Sequence, residues 1–165
     1  MEKFQLLREQ ALKHHRVAEH MVKVTYPLIQ DTKLLVSITE NLFLSLDNAI
    51  SSILYHERLF KLVPQFPDNF KSKFQLLYQK QAKYNLPPEY FQIILELEEI
   101  IQLHRSSPIE FKRKDRFIIC TEKYQTKAIT FDQLKKYLVQ TREFLDLMNQ
   151  ITSRNQRIFK NYQDE

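Results

Sequence analysis

Leu34-Leu-Val-Ser-Ile-Thr-Glu-Asn-Leu-Phe-Leu-Ser-Leu-Asp-Asn-Ala-Ile-Ser-Ser-Ile-Leu-Tyr-His56 contains no lysine and no arginine. Its apolar stripe runs Leu34 or Leu35, Ile38, Leu42, Leu46, Ala49, Ile53 and on to Phe60. That recurrence every three or four residues is the spacing of a helix face. The spacing predicts one long helix near 29–62, with Asp31 at its start or in its first turn, where negative charge is favoured. A helix with so few charges is expected to touch protein on most sides, with Leu42, Ala49 and Ile53 in the core.

Working outward, residues 2–24 also show helical spacing, through Phe4, Leu7, Ala11, His14 or His15, Ala18 and Met21 or Val22. Thr25-Tyr26-Pro27 is expected to end that helix, because proline restricts the residue before it. On the other side, Pro64 and Pro67 mark a turn. Asp68 or Asn69 is positioned to cap a third helix reaching about Tyr84. Asn85 and Pro87 break it, and Pro88 opens a fourth helix to about His104. Thr130-Phe131-Asp132-Gln133 is a capping-box pattern that opens a last helix to about Ile158. Between them, Phe117-Ile118-Ile119-Cys120 and Lys127-Ala128-Ile129-Thr130 read as short strands, paired across a 121–126 loop. At most one two-stranded ribbon is expected there.

The fold expectation is therefore all-α, or α with one small β-ribbon: an up-and-down bundle of about five helices. One domain spans 1–160, with a basic insertion at about 105–130 and a frayed tail at 161–165.

The chain contains no glycine. Phosphate-cradling loops, dinucleotide fingerprints and nucleophile elbows all need glycines at fixed spacing, so those designs are excluded. The one cysteine, Cys120, cannot form an internal disulfide; in a short apolar strand it reads as core. No apolar run approaches the ~18 residues of a membrane span. The first ten residues, Met1 to Gln10, lack an apolar signal core. The expectation is a cytoplasmic protein with no membrane partner.

The net charge of +5 is concentrated. Residues 105–127 hold Arg105, Lys112, Arg113, Lys114, Arg116, Lys123 and Lys127 against Glu110, Asp115 and Glu122. Phe111, Phe117 and Tyr124 are interleaved. Cations contact phosphates and aromatic faces stack on unpaired bases, so Arg105, Lys112, Arg113, Lys114, Arg116, Phe111 and Tyr124 are the candidate nucleic-acid residues. The competing reading folds this segment onto the acidic helix 87–104, with its Glu89, Glu96, Glu98 and Glu99.

Asn41, Ser45, Asn48 and Ser52 share a helix face. They are candidates for a dimer seam or a polar pocket, or for a close helix contact within the chain. The five histidines do not supply a metal site: His14, His15 and His20 miss the i, i+4 spacing, and His15 with Glu19 gives too few ligands. No metal and no cofactor are expected.

The run Asp31–Ile50 resembles the long early helix of HEPN-type bundles, as does the order of long helices with a variable segment before the last. Ser107-Pro-Ile-Glu-Phe-Lys-Arg-Lys-Asp-Arg-Phe-Ile-Ile-Cys120 is similar to a block in small, uncharacterised archaeal helical proteins. The resemblance implies a bundle that often dimerises and often works around RNA or nucleotides. Many HEPN proteins are metal-independent ribonucleases with an Arg-x4-6-His motif near the start of the last conserved helix. Here no histidine follows Arg105, and the pattern is met only by Arg8 with His14 or His15. The catalytic role is not carried over.

The leading expectation is a non-catalytic HEPN-like module that binds single-stranded RNA, or an acidic or RNA-processing protein partner, through the basic segment. The alternatives are a toxin-like, metal-independent ribonuclease using Arg8 and His14 across a homodimer, and a protein–protein adaptor whose charges are paired internally.

Overall fold

Leu34–Leu59 forms a single helix, α3, at the centre of the computed structural model, which describes residues 1–154. Leu35, Ile38, Leu42, Ala49 and Ile53 are fully buried, as the stripe predicts. Residues 51–57 are buried without interruption. Side chains of this kind contribute about 1.5–3 kcal/mol each on burial, so α3 is the main source of core.

Four other helical rods pack around α3. The first is α1 (Lys3–His20), continued by a π-helical turn (Met21–Thr25) and α2 (Tyr26–Ile29). The expected stop at Thr25-Tyr26-Pro27 does not occur. Pro27 has no N–H and its ring crowds the carbonyl four residues back. The wider turn relieves that conflict: the Tyr26 N–H reaches back five residues to the Met21 carbonyl, as in a π-bulge. The rod ends at Gln30, in left-handed backbone.

Asn69 caps α4 (Phe70–Gln79) by accepting from the Ser72 N–H. This helix is shorter than expected, and turns carry the chain to Asn85. α5 spans Pro88–Ser106 and α6 spans Phe131–Ser153. Thr130 caps α6 by accepting from the Gln133 N–H at 3.3 Å. The end of the last helix near Ile158 and the frayed tail lie outside the described residues. Bonds between α1 and α3, α1 and α6, and α5 and α6 each pair rising with falling residue numbers. α1 thus runs antiparallel to both α3 and α6, and α5 runs antiparallel to α6.

The segment 109–130 is a three-stranded antiparallel meander, not a two-stranded ribbon. Its order is β1 (Ile109–Lys112), β2 (Arg116–Cys120), β3 (Thr126–Thr130). The expected β2–β3 pairing is present, with Phe117 opposite Ile129. The added strand β1 alternates Ile109 and Phe111 with Glu110 and Lys112. That period of two was hidden within the basic cluster.

Candidate nucleic-acid interface

Residues opposite one another in an antiparallel pair share a face, so the register sorts every side chain of the sheet. Glu110 and Lys112 lie with Phe117, Ile119, Lys127 and Ile129. Phe117, Ile119 and Ile129 are buried, so this face is turned to the helices. Ions ring it. His104 Nδ1 lies 2.6 Å from Glu110, Lys127 lies 3.4 Å from Glu96, and Lys112 lies 3.0 Å from Asp31. The Lys33 backbone N–H, and after it Lys112, hold the Asp31 carboxyl below its usual range.

The opposite face carries Ile109 and Phe111, then Arg116, Ile118 and Cys120, then Thr126, Ala128 and Thr130. None of these side chains is fully buried. Ile109 remains 58% exposed. The outer face is therefore partly exposed, with one aromatic ring, Phe111, and with Arg116, Thr126 and Thr130 among its apolar side chains. Ile118, Ala128, Thr126 and Cys120 belong to it although sequence reasoning did not select them. The available signal was alternation: Phe117 and Ile119 point one way, so Arg116, Ile118 and Cys120 point the other. Cys120 is half-buried on this surface, which corrects its assignment to the core.

The β1–β2 turn stands at one end of the face. The Arg113 N–H bonds the Arg116 carbonyl at 2.9 Å and closes the turn. The Arg113 guanidinium lies 5.1 Å from the Phe111 ring centre, in cation–π contact. Arg116 makes two hydrogen bonds to Asp115, Nε to Oδ1 and Nη2 to Oδ2, both 3.2 Å. This hydrogen bonding holds the Asp115 carboxyl below its usual range, with Lys114 adding a weaker effect through space. Among the described residues Arg113 and Lys114 have no carboxylate within 4 Å, unlike Lys112 and Arg116. Two depressions flank the turn. One, of about 390 Å³, is lined by Arg113, Lys114, Asp115, Arg116 and Ile118. The other, of about 630 Å³, joins the turn to Tyr26, Pro27, Gln30, Thr130, Phe131 and Asp132. There Tyr26 stacks on Phe131 at 4.3 Å between ring centres. Burial first, and then the Asp115 charge, raise the Tyr26 phenol above its ordinary value.

The seven candidate residues therefore do not form one cluster. Phe111, Arg113, Lys114 and Arg116 meet around one end of the outer face. Lys112 is on the inner face and ion-paired. Arg105 ends α5, and Tyr124, 92% exposed, sits in the β2–β3 turn at the far end of the sheet. Of the segment's cations, Lys127 alone among the described residues pairs with a carboxylate of the acidic helix, so the segment does not fold wholesale onto Glu96 and Glu99. Glu96 instead also accepts from Gln133, which donates to the Tyr137 hydroxyl. Burial and Glu96 raise that phenol above its usual range.

The polar stripe on α3 has an internal use. Ser45 donates to the Ala11 carbonyl and Ser52 to the Phe4 carbonyl, each at 2.7 Å. Both serines are fully buried, so they are not at a dimer surface or an open pocket. Small side chains let α1 approach α3 closely, and each hydroxyl bonds across the gap. Asn41 bonds His14 at 3.1 Å, and Asn48 returns to the Leu44 carbonyl. Arg8 points instead to Thr152 on α6. Arg8 and His14 thus face different helices, and one chain does not bring them together.

Three buried polar clusters had no sequence signal. Lys73 donates to Ser51 at 2.8 Å and lies 3.3 Å from Asp68 and 3.5 Å from Asp47. A Ser–Lys pair is a known nucleophile arrangement. Here the amine is engaged by two carboxylates, and Ser51 is only 2% exposed. The contact ties α4 to α3. Glu57 accepts from His56 and from the Tyr84 hydroxyl. Burial alone would push Glu57 up, but these bonds outweigh it and hold its carboxyl below the usual range. His15 bonds the Leu138 carbonyl at 3.3 Å, so its Nε2 carries the proton. Among the described residues no group of three or more His, Cys, Asp or Glu is placed to hold a metal ion. No described helix is long and apolar enough to cross a membrane.

No family model matches this chain, and no curated protein matches it either.

Proposed function

We propose that this chain is a non-catalytic module, HEPN-like in the order of its helices, that binds single-stranded RNA on the outer face of its sheet. The carrying observation is the juxtaposition of Arg113 and Lys114, without ion-pair partners among the described residues, with the half-buried Phe111 and Ile118 of the outer face. Cations at the turn take phosphates. The sheet face receives bases, which only an unpaired strand can present to it. A duplex would offer its backbone alone.

The pairing of Arg8 with Thr152 and of His14 with Asn41 lends no support to the ribonuclease alternative. Titrating a fluorescent single-stranded RNA against its own duplex at low salt tests the reading. Tighter binding of the single strand is expected. Absence of binding, or a preference for the duplex, would overturn it.

A further inference from the structure

The Asp115–Arg116 pair has a consequence for which base the surface takes. An exposed arginine normally samples many orientations. Here Nε and Nη2 of Arg116 are both held by Asp115 at 3.2 Å, which fixes the plane of the guanidinium. The Asp115 carboxylate consumes one side of the group. The end formed by Nη1 and the second N–H of Nη2 stays open, and those two parallel donors match two acceptors side by side on a planar partner. Arg116 rises from the outer sheet face in register with Ile118, the face proposed to receive bases. It also lines the 390 Å³ depression with Arg113 and Ile118. That volume lies at the lower end of the ~300–1,000 Å³ range of small-ligand sites. Arg113, in cation–π contact with Phe111, borders the same depression.

We infer that the surface selects guanine: Arg116 reads the O6 and N7 acceptors of the base, and Asp115 positions it. Guanine presents those two acceptors together, whereas adenine has a donor beside N7 and uracil has no N7. The inference rests on the RNA-binding reading and deepens it. Arg113 and Lys114 supply charge for phosphates, while the Arg116 fork supplies discrimination.

The test uses labelled single-stranded hexamers: oligouridine, and the same strand with one central guanine, adenine or 7-deazaguanine. The wild-type chain is expected to prefer the guanine strand by roughly 5- to 150-fold, the range for a bidentate contact. The 7-deaza strand, lacking N7, should lose most of that preference. Arg116→Lys keeps the charge but not the fork, so the guanine strand should lose its advantage over the adenine strand. Asp115→Ala removes a carboxylate, so oligouridine should bind more tightly while the guanine preference falls. Circular dichroism confirms that each variant is folded. Equal affinity for all four strands, or a preference that survives in Arg116→Lys, would overturn the guanine assignment and leave RNA binding standing. If no strand binds even at low salt, both readings fail.

Discussion

Among the described residues, four bear the cost of a chain without glycine. Gln30, Lys61, Asn85 and Tyr124 all have positive φ, between 53° and 59°. For a residue with a Cβ that region costs about 1–2 kcal/mol, with asparagine the most tolerant. Gln30 ends the α1–α2 rod, so Gln30→Gly should stabilise the fold by about 0.5–1 kcal/mol after the entropy of a more flexible unfolded chain is subtracted. A lower thermal midpoint would contradict the left-handed geometry. His15 behaves in the opposite sense to a paired histidine. Burial, the largest influence, holds it below its ordinary value of 6.5, against the raising effects of the Leu138 carbonyl, Glu19 and Asp146; Arg142 on α6 lowers it further. The unfolded chain therefore binds the proton more readily. The stabilising contribution is present above about pH 6.5 and lost as the pH falls through the depressed folded value. His15→Gln retains a donor for Leu138 and removes the titration. Its thermal midpoint should vary less than that of the wild type between pH 6.5 and 4.5; identical curves would show that His15 is not the group responsible. Neither the tautomer of His15 nor the contacts of Lys73 with Ser51 and of Tyr84 with Glu57 could be read from spacing, because in each the partner lies far along the chain.

At the scale of elements, α3 was legible because one physical rule governs it. An apolar repeat of three to four residues with no cation along 23 positions leaves a buried helix as its outcome. Leu42→Ala should cost about 2–5 kcal/mol, as cavity-forming core changes do; an unchanged denaturation midpoint would place Leu42 on the wrong face. The caps at Asn69 and Thr130 were legible for the same reason, since a cap depends on residues three positions apart. The π-turn was not. Whether Pro27 stops a helix or widens it depends on packing, and Tyr26 stacking on Phe131 gives the chain a reason to continue. β1 was hidden by its own lysine and glutamate, which pair with Asp31 and His104 beneath the sheet rather than marking a solvated loop. The serines of α3 could be placed on one face, but only the neighbouring backbone reveals that α1, not a second copy, occupies it.

For the whole molecule, charge is divided by the sheet. The excess cations of 105–127 are a property of sequence; which of them have partners is a property of the fold. Lys112, Arg116 and Lys127 are matched by carboxylates, whereas Arg113 and Lys114 stand at the turn beside the partly exposed outer face. Of the cations beside the outer face, those two are expected to release counterions when a strand binds. Each phosphate contact to a single strand contributes about 0.7 to the slope of log affinity against log salt. The most direct measurement is therefore the salt dependence of single-stranded RNA binding by the wild-type chain and by Arg113→Ala/Lys114→Ala. The account predicts binding at low salt in the wild type and a slope shallower by about 1.4 in the double variant, across all sequences alike. No binding by the wild type at low salt, or the same slope in both proteins, would contradict it.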